Sequence, residues 1–129
     1  MPIHHFLKDI ARPISPSSHA CEADGWIFLT GQLGREIEKP GAPFRDGIVA
    51  QTEQTLTNIK RLLGELGVSL ADLVSVRVFL THFDRDYAAM NEAYAKFFPD
   101  DARPARTCVG VTGIVAGALI EIDGIVRRP

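Results

Sequence analysis

The residues best suited by type and spacing to do chemistry lie in the C-terminal third of the chain. Arg106 stands at the start of an otherwise apolar segment, and the period of two of a strand places Arg106, Cys108 and Gly110 on one face. Glu121 stands among apolar residues in the next such segment. A planar guanidinium can hold a carboxylate through two parallel hydrogen bonds. A carboxylate inside an apolar strand must be paired or functional, because its burial costs free energy.

Two interpretations of this pair remain open from the spacing alone. In the first, the two segments form a hairpin that a salt bridge between Arg106 and Glu121 ties together. In the second, Arg106 binds the carboxylate of a small ligand, and Glu121 acts beside it as a base. Only the second interpretation makes the pair an active site.

The other candidate side chains indicate neither a metal site nor a bound cofactor. No two of the four histidines are spaced as zinc ligands on a helix, and the two cysteines, Cys21 and Cys108, lie far apart. The glycines of Gly31–Gly34 do not belong to a phosphate-binding loop. We therefore predict no metal and no cofactor. The neighbours of Cys108 favour a packing role, because no histidine lies near it in the sequence to activate a nucleophile.

The apolar periodicity predicts the elements that position these side chains. A stripe from Leu56 to Leu66 predicts a helix from about Asp46 that closes at Gly67, and a second helix is predicted over Asp84–Phe98 with Asp84 as its cap. Alternating or aromatic and β-branched segments predict strands at residues 26–30, 73–80, 106–112 and 118–126, and a further one near residues 3–8. A polar loop is predicted from Arg35 to Pro43. This order predicts an α+β domain with two helices backing a mixed sheet.

The composition is typical of one soluble domain over residues 1–129. The 129 residues are 46% hydrophobic and 23% charged, which excludes a disordered chain. A formal net charge of −2 argues against a nucleic-acid-binding face, and no apolar run reaches the roughly 18 residues that span a bilayer. Without a signal-peptide segment after Met1, we predict a cytoplasmic protein without a membrane partner. Its apolar content predicts surface shared with other subunits.

Five segments of the sequence resemble the Rid family, also called the YjgF/YER057c/UK114 family. RPARTCVGV (103–111) and LIEIDGIV (119–126) resemble its C-terminal signature. LTGQLG (29–34) resembles the end of its first core strand, and QTEQTLTNIKRLL (51–63) and YAAMNEAYAKFFP (87–99) resemble its two helices. The resemblance covers nearly the whole chain, in order and without large gaps.

The resemblance implies a chorismate-mutase-like α+β fold in a homotrimer whose sheets surround a central barrel, with each cleft built from two chains. It also implies cofactor-independent hydrolysis of reactive 2-imino or enamine carboxylic acids to 2-oxo acids and ammonia. The family's carboxylate-clamping arginine corresponds to Arg106, the cysteine two residues later to Cys108, and the glutamate near the attacking water to Glu121. Its glycine after the first core strand corresponds to Gly31. Its second-helix asparagine, which the neighbouring subunit would supply, corresponds to Asn91.

One position departs from the family pattern. Many deaminases of the family carry an aromatic residue in a GPYSQA-like segment, and Ser17 takes its place in the stretch Ser15–Ala20. The smaller, more polar pocket wall predicts either a longer or dicarboxylic substrate, such as an enamine of the 2-aminomuconate type, or a weak or absent activity. The alternative function is a non-catalytic trimer that binds small carboxylates or acts like a chaperone. A ribonuclease, an activity also attached to the family, is disfavoured by the acidic balance and the absence of a histidine pair.

Overall fold

The computed structural model describes residues 1–39 and 41–129; Pro40, in the predicted polar loop, lies outside them. The predicted α+β class is confirmed, because two helices pack on one mixed sheet of six strands. The elements are, in chain order, β1 (Ile3–His5), β2 (Ala20–Ala23), β3 (Trp26–Leu33), α1 (Gly47–Glu65), β4 (Leu73–Leu80), α2 (Phe83–Ala95), β5 (Ala105–Gly110) and β6 (Ile120–Arg127).

The strands follow the order β1-β2-β3-β6-β4-β5 across the sheet. All neighbouring pairs are antiparallel except β4 and β5, which are parallel. The hairpin of β5 and β6, which the first interpretation of Arg106 and Glu121 required, is therefore excluded, because β4 lies between the two strands. The connection crosses the C-terminal end of β4, where the Val111 amide donates to the Leu80 carbonyl and the Thr81 amide donates to the Leu119 carbonyl.

The core lies between the two helices and one face of the sheet. The predicted stripe of α1 is buried against this face, and Gly67 ends the helix with φ +77°, a left-handed conformation that glycine adopts without a steric penalty. The fully buried side chains that form the centre of the core are Leu56, Ile59 and Leu63 of α1, Val76, Val78 and Leu80 of β4, and Ile120 and Ile122 of β6. Alternate residues of β4 and β6 therefore face away from the helices.

Local details differ from the sequence predictions for identifiable reasons. Strand β2 was not predicted, because four residues are too short for a periodic signal. His82, not Asp84, occupies the cap position of α2, which begins at Phe83. Val74 is 42% exposed although alternation groups it with Val76, because an irregularity between Leu73 and Ser75 in the pairing with β6 interrupts the alternation.

Candidate functional site

Arg106 lies on the helix-facing side of β5 and is held by α2. The parallel pairing places Arg106 beside Val76 and Cys108 beside Val78, two residues of β4 that face the helices. The Arg106 Nη2 atom donates a hydrogen bond of 2.8 Å to Oδ1 of Asn91, and its Cζ lies 4.8 Å from the centre of the Tyr94 ring. These partners are uncharged, so the positive charge of Arg106 is not neutralised by its own surroundings.

A cavity of about 350 Å³ opens beside this guanidinium and is lined by Asn91, Tyr94, Ala95, Arg103, Pro104 and Arg106. Cys108 is half-buried on the same strand face, and burial raises the pKa of its thiol in spite of the nearby Arg106 charge. A thiol that stays protonated at neutral pH is a poor nucleophile. We refer to Asn91, Arg106 and Cys108 as the arginine half-site.

Glu121 lies on the opposite face of the sheet. Its neighbours Ile120 and Ile122 are buried beneath the helices, and Glu121 pairs with Phe79 of β4 on the other face. Gly31 of β3 lies directly against the Glu121 side chain, and a Cβ atom at residue 31 would overlap a carboxylate oxygen. We refer to Gly31 and Glu121 as the glutamate half-site. Both residues line a second cavity of about 630 Å³.

The environment of Glu121 favours its protonated form. Burial raises the pKa of the Glu121 carboxyl above its ordinary value of 4.5, Asp123 adds to the increase, and Arg77 opposes it. Arg77 is held by Asp123, which accepts its Nε–H at 3.0 Å, and Glu121 itself has no hydrogen-bond partner among the described side chains. A carboxyl group with raised proton affinity and no partner is suited to accepting and returning a proton.

One chain thus brings the predicted site residues together in two groups rather than one. Asn91, which the family resemblance assigned to a neighbouring subunit, lies in the same chain as the Arg106 side chain that it binds. Arg106 and Glu121 are neighbours of Val76 and Phe79 respectively, which lie on opposite faces of β4. A salt bridge between Arg106 and Glu121 within the chain is therefore excluded. Ser17 belongs to neither group: it is exposed in the loop before β2, with its Oγ 2.9 Å from Oγ of Ser15, which does line the larger cavity.

Asn58 of α1 is a supporting residue that the sequence analysis did not identify. It falls outside the leucine stripe but is only 3% exposed, because its Nδ2 donates to the carbonyls of Leu33 at 3.0 Å and of Arg35 at 2.7 Å. These bonds fix the end of β3 close to Gly31. The available signal is the spacing of the amides Gln51, Gln54 and Asn58, which places them along one side of the helix.

His19, which also lines the larger cavity, is a structural residue. Its Nδ1 accepts the Leu7 amide at 2.8 Å and its Nε2 donates to the Ala11 carbonyl at 2.8 Å, so the ring fastens the segment before β2. No group of three or more His, Cys, Asp or Glu side chains within residues 1–39 and 41–129 is arranged to hold a metal ion. In the same part of the chain, no helix combines the length and apolar character needed to cross a membrane.

Comparison with protein families identifies the chain. A family model described as Endoribonuclease L-PSP matches residues 8–128. The chain belongs to this family. It is the family that the sequence motifs indicated under the names Rid and YjgF, and that prediction is confirmed.

Relatives within the L-PSP family carry different kinds of name. A RutC family protein of Pyrococcus horikoshii is 38% identical over 123 residues, 95% of each chain. A protein of Dermatophagoides farinae named 2-iminobutanoate/2-iminopropanoate deaminase is 33% identical over 118 residues, 89% of this chain and 88% of that protein. The crystal structure of RidA from the Antarctic bacterium Psychrobacter superposes with a TM-score of 0.85 and 29% identity over 95% of this chain and 98% of that one. The family therefore includes an imine deaminase, although its model is named after a ribonuclease.

Proposed function

We propose that this protein is a cofactor-independent deaminase that hydrolyses 2-imino or enamine carboxylic acids to 2-oxo acids and ammonia. The observation that carries the proposal is a pair of uncompensated groups, each lining a cavity. Arg106 has only neutral partners, and Glu121 has a raised pKa and no hydrogen-bond partner among the described residues. The first group suits a fixed substrate carboxylate, and the second suits a moving proton.

A second copy of the chain is needed to place both groups around one small substrate, because they lie on opposite faces of the sheet. We propose a homotrimer in which the arginine half-site of one copy meets the glutamate half-site of the next. The sheet face away from the helices supports this assembly, because Trp26, Phe28 and Val109 are each 40–47% exposed there. Exposed apolar area of this kind on a small domain is typical of a surface that other subunits cover.

The reaction requires little of the protein, since imines also hydrolyse in water. Arg106 binds the substrate carboxylate through its planar N–H groups and so fixes the position of C2. Glu121, together with a main-chain carbonyl near Cys108, holds a water molecule that adds to C2. Glu121 accepts the proton that the water loses and returns it to the nitrogen, which gives a 2-amino-2-hydroxy acid. A second transfer through Glu121 then moves the hydroxyl proton to the amino group, the C2–N bond breaks, the oxygen on C2 becomes the carbonyl oxygen of the 2-oxo acid, and ammonia leaves. Cys108 packs beside the substrate as a thiol and forms no covalent bond.

Longer enamines of the 2-aminomuconate type fall within the same proposal. The cavity of about 630 Å³ at the glutamate half-site lies within the range of pockets that hold drug-sized ligands, so it exceeds the needs of a three- or four-carbon acid. Ser17 adds no bulk to the wall of this cavity, since the side chain is exposed and directed to Ser15. The substrate can therefore extend beyond the reacting carbon.

An ammonia-release assay tests the activity. Imines are generated from amino acids by an amino acid oxidase, and the spontaneous rate is subtracted from the rate with the protein. We expect an acceleration that Arg106→Ala abolishes and that Arg106→Lys retains in part, because lysine keeps the charge but not the planar fork. If the protein binds 2-oxobutanoate through Arg106 but accelerates the hydrolysis of no imine, the deaminase proposal fails and the alternative, a non-catalytic carboxylate-binding protein, takes its place.

Light scattering during size-exclusion chromatography tests the assembly. We expect the mass of a trimer at micromolar concentration. Charged substitutions on the uncovered sheet face, such as Phe28→Glu, are expected to dissociate it and to abolish turnover together, because the half-sites then no longer meet. A monomeric wild-type protein that still accelerates imine hydrolysis would overturn the shared cleft.

A further inference from the structure

The arginines fall into two classes by their partners. Arg12, Arg35 and Arg106 form no salt bridge among the described residues, and each of them lines one of the two cavities. A fourth, Arg127, lies over the Trp26 ring on the sheet face away from the helices. Six others pair with carboxylates of the chain: Arg45, Arg61, Arg77, Arg85, Arg103 and Arg128. Unpaired guanidinium groups are therefore concentrated at the cavities, and two of them share the larger one.

Both arginines of the larger cavity lie over aromatic rings of the same chain. The Cζ atom of Arg12 lies 4.1 Å from the centre of the Phe6 ring, and that of Arg35 lies 4.9 Å from the centre of the Phe44 ring. A cation over a ring face is attracted to the ring without using a hydrogen-bond acceptor, so the guanidinium N–H groups stay able to bind a carboxylate. The Arg35 main chain is also fixed, because its carbonyl accepts the 2.7 Å hydrogen bond from Asn58.

The acidic side chains of the same cavity do not neutralise these two arginines. Glu36 lines the cavity but pairs with Arg45 at 3.4 Å. Glu121 belongs to the reacting end, and the described structure shows no salt bridge from it to Arg12 or Arg35. The cavity therefore has a proton-transferring carboxyl group together with three cationic side chains that form no salt bridge among the described residues, namely Arg12, Arg35 and Lys39.

We propose that Arg12 and Arg35 form a second anion-binding subsite, which recognises the far end of the substrate. The inference rests on the proposed deaminase function and adds the substrate class: dicarboxylic 2-imino or enamine acids. Arg106 of one copy holds the carboxylate next to the reacting carbon, and Arg12 and Arg35 of the other copy hold the distal one. For an imine derived from an ordinary amino acid, a distal anionic group is a carboxylate.

Two five-carbon acids that differ only at the far end test the subsite. Binding is measured by calorimetry with 2-oxoglutarate and 2-oxopentanoate, and turnover with the corresponding imines. We expect 2-oxoglutarate to bind at least tenfold more tightly, and kcat/KM to favour its imine to a similar extent. The double variant Arg12→Gln/Arg35→Gln should reduce both preferences to near unity. Lys60→Gln, which removes an exposed charge of α1 outside the cavity, is the matched control and should keep them.

The outcomes separate the subsite from the deaminase activity. Equal affinity of the wild-type protein for the two oxo acids would overturn the subsite. A preference for 2-oxoglutarate that persists in the double variant would also overturn it, provided that thermal melting shows the variant to be folded. If the protein still turns over 2-iminopentanoate in that case, the proposed deaminase activity is supported without the subsite. The third outcome is that the wild-type protein prefers 2-oxoglutarate, the double variant loses this preference, and neither protein accelerates the hydrolysis of any imine. This outcome supports the anion-binding subsite and overturns the proposed deaminase activity.

Discussion

Glu22 and Glu121 lie in the same sheet, and their carboxyl pKa values shift in opposite directions. The Glu22 carboxylate accepts hydrogen bonds from Arg128 Nε at 2.6 Å and Nη2 at 3.0 Å and lies 2.9 Å from His5 Nε2. The Arg128 bonds, followed by the His5 bond, lower the pKa of Glu22 to about 2. Glu121 has no such partner, and burial raises its pKa. The difference is one of pairing, not of residue type.

Arg128 and Arg106 show the same contrast between a paired and an unpaired charge. Arg128 binds Glu22 and also donates from Nη1 to the Leu66 carbonyl at 2.7 Å, so it ties the C-terminal strand, β2 and the end of α1 together. Arg106 is oriented by Asn91 and Tyr94, which leave its charge free. Paired charges stabilise this fold, whereas unpaired ones are available to a substrate.

The largest expected effect comes from neutralising each glutamate in turn. Glu121→Gln should lower turnover about a hundredfold or more, in the range of general acid–base catalysis, and should raise the free energy of unfolding, because the variant no longer buries a charge. Glu22→Gln should leave turnover per folded molecule unchanged and lower the free energy of unfolding by about 1.5–3 kcal/mol, the usual contribution of hydrogen bonds to charged groups. Ammonia release and urea denaturation measure the two quantities.

The opposite results would contradict the division of roles between a catalytic Glu121 and a structural Glu22. If Glu121→Gln unfolds the protein and keeps its turnover when folded, Glu121 is a structural residue and the proposed mechanism fails. If Glu22→Gln reduces turnover as strongly as Glu121→Gln does, pairing does not separate the two roles.

The next effect concerns Gly31, where a methyl group would displace the Glu121 carboxylate. We expect Gly31→Ala to lower turnover more than tenfold, because the added Cβ overlaps the carboxylate and must move it. Gly64→Ala in α1 is the control, since nothing lies within 4 Å of a Cβ there. That variant should be active and more stable by about 0.5–1 kcal/mol, as alanine favours a helix. Full turnover in Gly31→Ala would show that the carboxylate position is not critical.

The stability of the protein in acid should show that the pKa shifts of Glu22 and Glu121 have opposite signs. The contribution of Glu22 is complete above its unfolded pKa near 4.5 and is lost as the pH falls toward about 2, where the folded carboxyl takes up a proton. Charged Glu121 opposes folding at neutral pH, and this cost disappears as its carboxyl becomes protonated. The stability differences of Glu22→Gln and Glu121→Gln from the wild type should therefore have opposite signs at pH 7 and both shrink in acid. Urea denaturation at equal protein concentration between pH 7 and about pH 2.5 measures them; differences independent of pH would contradict the linkage.

Periodic features of the sequence predicted most of the elements, because a buried face repeats its residue types along the chain. The stripe of α1 and the alternation of Val76, Val78 and Leu80 are examples. The position of β6 between β3 and β4 could not be predicted in this way, since it depends on pairing between residues far apart in the sequence. The hairpin of β5 and β6 was one open interpretation because a short segment joins the two strands, and the place of β4 between them excludes it.

The candidate site was predicted by residue type but not by arrangement. Arg106 and Glu121 are notable in sequence because each interrupts an apolar segment, and the structure leaves both without an ion-pair partner among the described residues. Their separation onto two faces depends on the register of β4 with both of its neighbours. Asn58 was missed because its burial is explained by main-chain acceptors in β3 and the following loop, which no helical pattern reveals.

The smallest expected effect is at Tyr94, where an uncharged group is unpaired. Its hydroxyl is buried and has no hydrogen-bond partner within the described residues, and burial raises its pKa. Replacing an unsatisfied polar group by an apolar one of the same shape is neutral or stabilising, so Tyr94→Phe should change the free energy of unfolding by about 0 to +1 kcal/mol. The ring still lies beneath Arg106, 4.8 Å from Cζ to its centre, so the affinity for 2-oxobutanoate should stay within about twofold. Urea denaturation and calorimetry measure both quantities. A tenfold loss of affinity would show that the hydroxyl, not only the ring, takes part in binding the carboxylate at the arginine half-site.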